Sequence, residues 1–208
     1  MLQIKNVSII KGQTTIFQDL NLNFQLGKSY SLIGYSGSGK STLLNCIAGF
    51  ERLNSGEILF SNKKLITNRN FYKSTLGYLF QNYGLIDNAT IDANLDIGLA
   101  YKRYPKKQKL KLKTKLLEEM QVHAELSRKI STLSGGEQLR IALIRLLLKQ
   151  PSIILADEPT GSVDKDNSNL IIDKLLNALD EKKIIIIATH DLAIAQKCDE
   201  CIRIEDLK

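Results

Sequence analysis

The chain has 208 residues, of which 43% are hydrophobic and 25% are charged, and its formal net charge is +7. This composition excludes an intrinsically disordered chain and is typical of one globular domain with a sizeable core. No apolar run approaches the roughly 18–20 residues that a membrane-spanning helix requires, so any bilayer-spanning part is expected on another chain. The first five residues lack the apolar core of a signal peptide, which favours the cytosol.

Lysine and arginine outnumber the acidic residues by 29 to 22. That excess suits nucleic acid, an anionic membrane surface or simply a soluble basic surface, and the last of these is the ordinary case. Cys198 and Cys201 have CxxC spacing, but a zinc site needs a second pair of ligands that the sequence lacks. We therefore expect reduced cysteines at these positions and at Cys46, as in a cytosolic protein.

The N-terminal part of the chain predicts mostly strands. Residues 2–24 alternate apolar and polar side chains around a turn at 11–13, which indicates an antiparallel hairpin with one wet face. A short strand over 30–33 leads into a glycine-rich turn, and a helix over 41–48 follows with Gly49 as its C-cap. Further strands are predicted at 57–60 and 76–81.

Residues 91–150 have a helical pattern, with one helix over 106–120 and a second that begins after Ser134. Beyond them, strands are expected at 152–156, 183–189 and 201–204, and helices at 165–179 and 192–197. This alternation implies a parallel sheet with right-handed crossovers. The sequence therefore predicts one α/β domain that carries a helical insertion.

The lysine-rich stretch 102–115 has several possible roles. Its charges suit membrane phosphates or nucleic acid, and leucines interleave with them. Only Tyr101 and Tyr104 offer aromatic rings on which bases could stack. A solvated helix face is the simplest interpretation, and we adopt it as the expectation.

Residues 34–41, GYSGSGKS, fit the phosphate-binding pattern GxxxxGK(S/T). The glycines let successive backbone N–H groups turn inward around phosphate oxygens, and the following helix adds its own free N–H groups. Lys40 is expected to neutralise the β- and γ-phosphates, and the Ser41 hydroxyl to bind Mg²⁺. The candidate ATP-binding residues of this segment are Gly34, Ser36, Gly37, Ser38, Gly39, Lys40, Ser41 and Thr42.

An apolar strand at 153–156 ends in two acids, Asp157 and Glu158. Because the carboxyl end of a parallel strand opens into the ligand crevice, Asp157 is placed to hold Mg²⁺ through water. Glu158 is placed to orient or deprotonate an attacking water. Two acids at a strand end also commonly begin a turn, but the phosphate-binding loop favours the functional interpretation.

Residues 133–138, LSGGEQ, predict a second helix start of a similar kind. Ser134 is a good N-cap, and Gly135 and Gly136 expose backbone N–H groups. The motif is either a second phosphate-binding site or no more than a helix cap. One mononucleotide does not obviously need two such sites in one chain.

Together these motifs resemble the nucleotide-binding subunits of ABC transporters over essentially the whole chain. In the family's order they are the P-loop at 34–41, the Q-loop at 79–82, the signature at 133–138, the Walker B acids at 157–158, the D-loop at 161–164 and the H-loop at 189–191. The resemblance implies one ATP-binding domain over 1–208. Its P-loop NTPase core, with a mostly parallel sheet and an N-terminal antiparallel β part, would occupy about 1–82 and 151–208, and a helical subdomain about 83–150.

The resemblance also implies the roles of individual residues. Two copies of the chain would meet head to tail, and the signature residues of one copy would contact the ATP of the other. These residues are Ser134, Gly135, Gly136 and Glu137. The implied catalytic residues are Glu158, His190 and Gln81, and the implied Mg²⁺ ligands are Ser41, Gln81 and Asp157.

The implied cofactors are ATP and Mg²⁺. The implied partners are a second copy of the chain and separate transmembrane permease chains, with no nucleic acid, at the inner face of the cell membrane. ABC ATPases that act on ribosomes or DNA usually join two ATPase units or carry long coiled coils, and this chain has neither.

Two stretches narrow the resemblance further. Residues 156–164, ADEPTGSVD, are similar to ATPases of lipoprotein-release, macrolide-export and cell-division systems. Residues 80–87, FQNYGLID, are similar to Gram-positive ATPases of bacteriocin or antimicrobial-peptide export. The implied function is to power an exporter of peptide, lipid-linked or antimicrobial cargo, with an ATP-cycling regulator of a membrane complex as the alternative.

The chain departs from the family where an aromatic ring usually stacks on adenine. Residues 10–12 are IKG, so Phe17 would have to substitute, and weak discrimination between purine nucleotides is expected. In the D-loop, Ser162 and Val163 replace a frequent Asn-Leu pair without an expected consequence.

A further expectation concerns the segment between Gln81 and the helical insertion. Its apolar residues are Tyr83, Leu85 and Ile86. They are expected to dock a cytoplasmic helix of the permease or, alternatively, to pack beneath the insertion.

Overall fold

The computed structural model describes residues 1–161 and 164–207, whose strands form two sheets. The strands are β1 Leu2–Lys11, β2 Thr14–Phe24, β3 Lys28–Ile33, β4 Ser55–Phe60, β5 Lys63–Lys64, β6 Leu76–Leu79, β7 Ile153–Asp157, β8 Ile184–Thr189 and β9 Glu200–Arg203. The α-helices are α1 Lys40–Ala48, α2 Ile91–Leu99, α3 Lys106–Glu119, α4 Gly135–Lys149, α5 Lys165–Leu176 and α6 Leu192–Ala195.

The first sheet is antiparallel and has the strand order β2-β1-β4-β5. β1 and β2 form the predicted hairpin, which turns at Gly12 with a φ of 61°. Such a positive φ favours glycine, because a Cβ would clash with the backbone. One face of β1 is buried through Leu2, Ile4, Val7 and Ile9, and the alternation shifts by one residue at an irregularity between Ile4 and Val7.

The second sheet is parallel and has the order β6-β7-β8-β3-β9. The expected α/β fold with a mostly parallel sheet and an antiparallel β part is confirmed. β3 lies between β8 and β9, so the three adjacent strands β7, β8 and β3 end at the same edge of the sheet. In open parallel sheets this carboxyl edge is where ligands bind.

Both faces of the parallel sheet are buried, which explains the uninterrupted apolar runs of β7 and β8. Ile153 and Leu155 face the core shared with α1 and the antiparallel sheet. Ile154 and Ala156 face the core shared with α2, α4 and α5. The described residues therefore form two apolar cores, one on each side of the sheet.

The helical segment between β6 and β7 packs closely. Gly98 of α2 lies against α4, and a Cβ at Gly98 would come within 2.4 Å of the backbone oxygen of Arg145. Only glycine allows these two helices this close approach. Within the described residues, no helix has both the length and the apolar character needed to cross a bilayer.

Several predicted elements are longer than the observed ones, among them α6, which ends at Ala195 rather than at residue 197. β6 ends at Leu79 rather than at residue 81, and the Phe80 ring that follows stacks on Tyr78 at a centroid distance of 4.3 Å. The chain then turns through Tyr83 and Gly84, which have φ values of 64° and 57°. α5 ends at Leu176 rather than at residue 179, and Asn177, a weak helix former, is its C-cap. β5 and a π-helical turn at Phe71–Thr75 were not predicted.

The expectation of a fully solvated lysine-rich helix is wrong at one position. Lys113 of α3 is 3% exposed, and its ammonium lies 2.6 Å from Asp92 and 2.7 Å from Asp96 of α2. The two carboxylates compensate the buried charge, and the pair ties α3 to α2.

Candidate functional site

The P-loop lies between the end of β3 and the start of α1. Gly37 and Gly39 have φ values of 81° and 111°, so both take backbone conformations that favour glycine. Lys40 is 6% exposed, and its ammonium donates to the carbonyl oxygens of Gly34 at 2.7 Å and Tyr35 at 3.1 Å. The loop therefore holds a buried cation at the carboxyl edge of the sheet.

One feature of the P-loop fits a phosphate ligand, and a second shows how the loop is held. The Ser38 hydroxyl is buried and has no hydrogen-bond partner within the described residues. Buried polar groups are rarely left unpaired, so an orphaned hydroxyl in a glycine-rich loop fits a ligand oxygen. Gly39 packs directly on the hairpin, since a Cβ there would meet Ile16 at 2.8 Å and Phe17 at 3.0 Å.

Ser41 and Asp157 form the second part of the site. The Ser41 hydroxyl donates to Asp157 Oδ1 at 2.8 Å, which joins the start of α1 to the end of β7. Burial raises the pKa of the Asp157 carboxyl, and the hydrogen bond from Ser41 opposes this shift. A hydroxyl oxygen beside a half-buried carboxylate is a donor set that fits Mg²⁺.

Glu158 and His190 form the third part. The Nδ1 atom of His190 lies 2.9 Å from Glu158 Oε2, and Lys40 lies 3.8 Å from Glu158 Oε1. The side chain of Glu158 is 16% exposed, whereas that of His190 is 70% exposed. A base that is mostly shielded and held by an imidazole is suited to accept a proton from water.

The backbone of Glu158 is unusual. Its φ is 45°, a conformation that costs a non-glycine residue roughly 1–3 kcal/mol. The Glu158 N–H donates to the Ala188 carbonyl of β8 at 2.9 Å, which fixes the turn. Residues held in this way cluster at functional sites.

Gln81 is exposed and lines a cleft together with Asp157, Asn45 and Tyr78. The structure thus brings Gln81 to the same end of the sheet as Ser41 and Asp157. Tyr78 donates its hydroxyl to Asn45 Oδ1 at 3.0 Å, and burial raises its pKa, so it stays protonated.

The signature motif forms the first turn of α4. Ser134 is its N-cap within a capping box, in which Glu137 Oε2 accepts both the N–H and the hydroxyl of Ser134 at 2.8 Å. These bonds lower the pKa of Glu137. Glu137 therefore orients Ser134, while Gly135 is exposed and Gly136 is half-buried.

The signature lies beside the segment after Gln81 and beside the first turn of α5. A Cβ at Gly135 would lie 3.5 Å from the Tyr83 hydroxyl, and one at Gly136 would lie 3.5 Å from Asn167 Nδ2. Asn167 in turn accepts from Arg140 at 2.7 Å and donates to Asp164, the N-cap of α5, at 2.6 Å. Ser162 and Val163 of the predicted D-loop lie outside the described residues.

Two residues that bond to loops of the site were missed by the sequence analysis. Arg145 of α4 donates to the carbonyl oxygens of Gly84 at 2.8 Å and Tyr83 at 3.0 Å, which joins the signature helix to the segment after Gln81. Glu205 accepts the N–H of Tyr35 in the P-loop at 3.1 Å. Neither lies in a motif, so no sequence signal pointed to them.

Residues 10–12 lie at the tip of the first hairpin. Ile10 is 45% exposed, and Lys11 forms an ion pair with Glu51 at 2.8 Å. Phe17 is 1% exposed and packs against Gly39, so its ring belongs to the core and is not placed to stack on a base.

An aromatic groove of about 240 Å³ lies between the parallel sheet and the helical segment. Phe50 is near its centre and stacks on Tyr72 and Phe80, with centroid distances of 6.1 and 5.9 Å. Ile97 and Tyr101 contribute exposed apolar surface, at 45% and 47% exposure. The lining residues are Phe50, Tyr72, Lys73, Leu76, Gly77, Tyr78, Phe80, Ile97, Gly98, Tyr101, Ala142, Arg145, Leu146 and Lys149.

The three apolar residues after Gln81 divide between the two expected roles. Tyr83 and Leu85 are half-buried and pack against the core of the helical segment. Ile86 is 53% exposed. Packing beneath the insertion therefore describes Tyr83 and Leu85, and only Ile86 presents a largely free apolar surface.

Comparison with known proteins gives matches over nearly the whole chain. The model of the ABC transporter family matches residues 17–161. The lipoprotein-releasing system ATP-binding protein LolD of Francisella tularensis is 34% identical over 99% of this chain and 94% of its own length. The macrolide export ATP-binding/permease protein MacB of Pasteurella multocida is 32% identical over 99% of this chain, which spans only 33% of that protein.

Solved structures give the same picture. The dimeric post-hydrolysis structure of the ATP-binding cassette MJ0796, bound to ADP and Pi, has a TM-score of 0.84 and 29% identity, covering 98% of this chain and 94% of that one. A second dimeric structure of MJ0796, described as a bacterial ABC transporter cassette, has a TM-score of 0.84 and 30% identity, covering 98% of this chain and 95% of that one.

Proposed function

The chain belongs to the ABC transporter family and is an ATPase of that family, and from this premise we propose that it is the motor subunit of a membrane transporter. In this proposal the domain spans 1–208, binds ATP with Mg²⁺ between two copies of itself and transmits the closing motion to separate permease chains. It lies at the inner face of the membrane.

One observation carries the proposal. Lys40, the Ser41–Asp157 pair and the Glu158–His190 pair follow the ends of three adjacent parallel strands and meet at one edge of the sheet. A cation, an oxygen pair for a metal and a shielded base are the parts that phosphoryl transfer to water requires.

The residues of this site divide the work of hydrolysis. Lys40 neutralises phosphate charge, and Ser38 and the P-loop N–H groups bind the phosphate oxygens. Ser41 and Asp157, with Gln81 nearby, would hold Mg²⁺, which would supply positive charge to neutralise the phosphates. Glu158 takes a proton from the attacking water, and His190 fixes the orientation of its carboxylate and reaches the γ-phosphate.

The signature turn supports a dimer. The capping box uses the N–H groups of Ser134 and Glu137, so the N–H groups of Gly135 and Gly136 remain for a second phosphate site. Ser134, Gly135 and Gly136 of one copy would then close the ATP held by the other. The dimeric MJ0796 structures support this arrangement.

The permease would dock in the aromatic groove and contact the exposed Ile86 of the segment after Gln81. The groove joins the parallel sheet, which carries the P-loop, to the signature helix α4, so a helix bound there would move with both. LolD and MacB support a cargo that is lipid-linked or antimicrobial, and we propose export of such a cargo.

Glu158→Gln tests the proposal. Phosphate release should fall roughly 10²–10⁴-fold, the usual scale for a positioned general base. Because ATP would stay bound, the variant should elute at twice the monomer mass in Mg·ATP. The control is Glu181→Gln, which changes an exposed acid of the α5–β8 turn and should leave turnover and mass unchanged. A Glu158→Gln variant that hydrolyses ATP normally, or stays monomeric at high concentration with Mg·ATP, would contradict the proposal.

A further inference from the structure

α3 has a basic outer face that the ATP site does not use. Lys107, Leu110, Lys111, Thr114 and Lys115 follow one side of the helix and line a shallow surface depression, whose lining also includes Pro105, Gln108 and one acid, Glu118. Leu110 is 52% exposed among the lysines. We call Lys107, Leu110, Lys111, Thr114 and Lys115 the α3 basic face. Its composition, lysines around an exposed leucine, is that of helices that lie on a membrane surface.

The lysines of α3 differ in how their charges are compensated. Lys113, which faces inward, is paired with Asp92 and Asp96. Within the described residues, Lys107 and Lys111 have no ion-pair partner, and Lys115 has only a long contact of 3.7 Å with Glu119. The first turn of α3 contains no acid and begins with two lysines. Positive charge at the start of a helix is unfavourable, and an anionic partner would compensate it.

The α3 basic face lies close in the chain to the aromatic groove. Tyr101 lines the groove, and the short segment 102–105 connects it to α3. The ammonium of Lys73 lies 4.7 Å above the Tyr101 ring, and Lys149 also lines the groove. Lysines therefore lie both on α3 and at the groove. Since the groove is where we place the permease, this part of the inference rests on the proposed function.

We propose that the α3 basic face binds the anionic phospholipid headgroups beside the permease, with Leu110 inserted among them. Lysine ammonium groups on flexible stems match a fluid array of phosphates, and an exposed leucine gains from contact with the acyl boundary. Single-stranded nucleic acid fits less well, because base stacking needs open rings. Tyr104 packs against the core, and the Lys73 ammonium lies over Tyr101.

Co-sedimentation with vesicles tests the inference. The full chain is mixed with vesicles of phosphatidylcholine alone or of equal parts phosphatidylcholine and phosphatidylglycerol. Binding is expected only to the second kind, and salt should weaken it, because exposed charges are screened. Lys107→Glu/Lys111→Glu should reduce the vesicle affinity at least roughly 25-fold, since each lysine near an anionic surface contributes about 1 kcal/mol, or about fivefold.

The control is Lys63→Glu/Lys64→Glu, which makes the same change in net charge on the exposed strand β5. It should bind vesicles nearly as well as the unaltered chain, and circular dichroism should show both variants folded. Three results would overturn the inference: no binding to the anionic vesicles, equal loss in both variants, or displacement from the vesicles by single-stranded DNA. The ATP-dependent dimer of Glu158→Gln is measured separately, so its failure would refute the proposed function rather than the lipid contact.

Discussion

Arg145 holds the segment after Gln81 to the signature helix, and replacing it by lysine should release one end of that connection. The guanidinium donates to two carbonyl oxygens, those of Gly84 and Tyr83, at 2.8 and 3.0 Å. A lysine ammonium lacks the planar fork and can reach one of them at most. Burial lowers the pKa of Arg145, which shows that the charge is partly removed from water.

The size of the effect follows from these contacts. A hydrogen bond from a charged donor contributes about 1.5–3 kcal/mol, and the Gly84 carbonyl lies in an exposed turn where water can replace the lost donor. We therefore expect Arg145→Lys to lower the free energy of unfolding by about 1.5–2 kcal/mol, near the lower end of the range. Stimulation of the ATPase by the permease should fall more than the basal rate, because the freed segment borders the docking groove.

Urea unfolding, monitored by circular dichroism, measures the change in the free energy of unfolding. Arg128→Lys is the matched control, since Arg128 also donates to a carbonyl oxygen, that of Thr132 at 2.7 Å, but is exposed and bonds a residue only four positions away. Its variant should differ from the unaltered chain by less than about 0.5 kcal/mol. If Arg145→Lys is as mild as this control, the two bonds contribute little and the reasoning is refuted.

Three further experiments test nucleotide binding and permease docking. Lys40→Ala should abolish tight ATP binding in calorimetry, because phosphate charge would lie uncompensated in the P-loop; unchanged affinity would contradict the P-loop assignment. In a competition assay, the affinities for ATP and GTP should differ by less than about tenfold, or roughly 1.4 kcal/mol, because residues 10–12 offer no ring and Phe17 is buried. A larger preference for ATP would point to another aromatic residue. Ile86→Asp should leave the melting temperature nearly unchanged and reduce co-purification with the permease. Leu85→Asp puts a charge at a packed position, so it should also lower the melting temperature. If a folded Ile86→Asp variant co-purifies fully, the docking surface lies elsewhere.

The parts of the site that could be predicted depend on residues that lie close together in the sequence. The P-loop needs glycine, lysine and serine at fixed spacing between a strand and a helix, and 34–41 supplies them. The capping box of Ser134 and Glu137 is a contact between residues three apart. Local backbone geometry decides both, so the sequence is sufficient.

The parts that could not be predicted depend on the whole fold. Glu205 and Tyr35 are 170 residues apart in the chain and meet only because β9 lies beside β3. Lys113 has the same sequence context as its exposed neighbours, and only the packing of α2 against α3 brings Asp92 to it. The end of β6 was missed because Phe80 continues the apolar pattern while its ring serves the aromatic stack.

The position of β3 between β8 and β9 has a consequence for how the chain folds. The strand that leads into the P-loop is synthesised early, whereas both neighbouring strands are synthesised much later. The hydrogen bond from the Ser29 N–H to Asp199, which is 170 residues further along, can form only then. Contacts of such long sequence separation close slowly, and an apolar strand with two open edges is prone to pair wrongly. We therefore expect the nucleotide site to be completed late in folding and fragments that stop before β8 to aggregate, so that nascent chains would depend on chaperones until the last strands emerge from the ribosome.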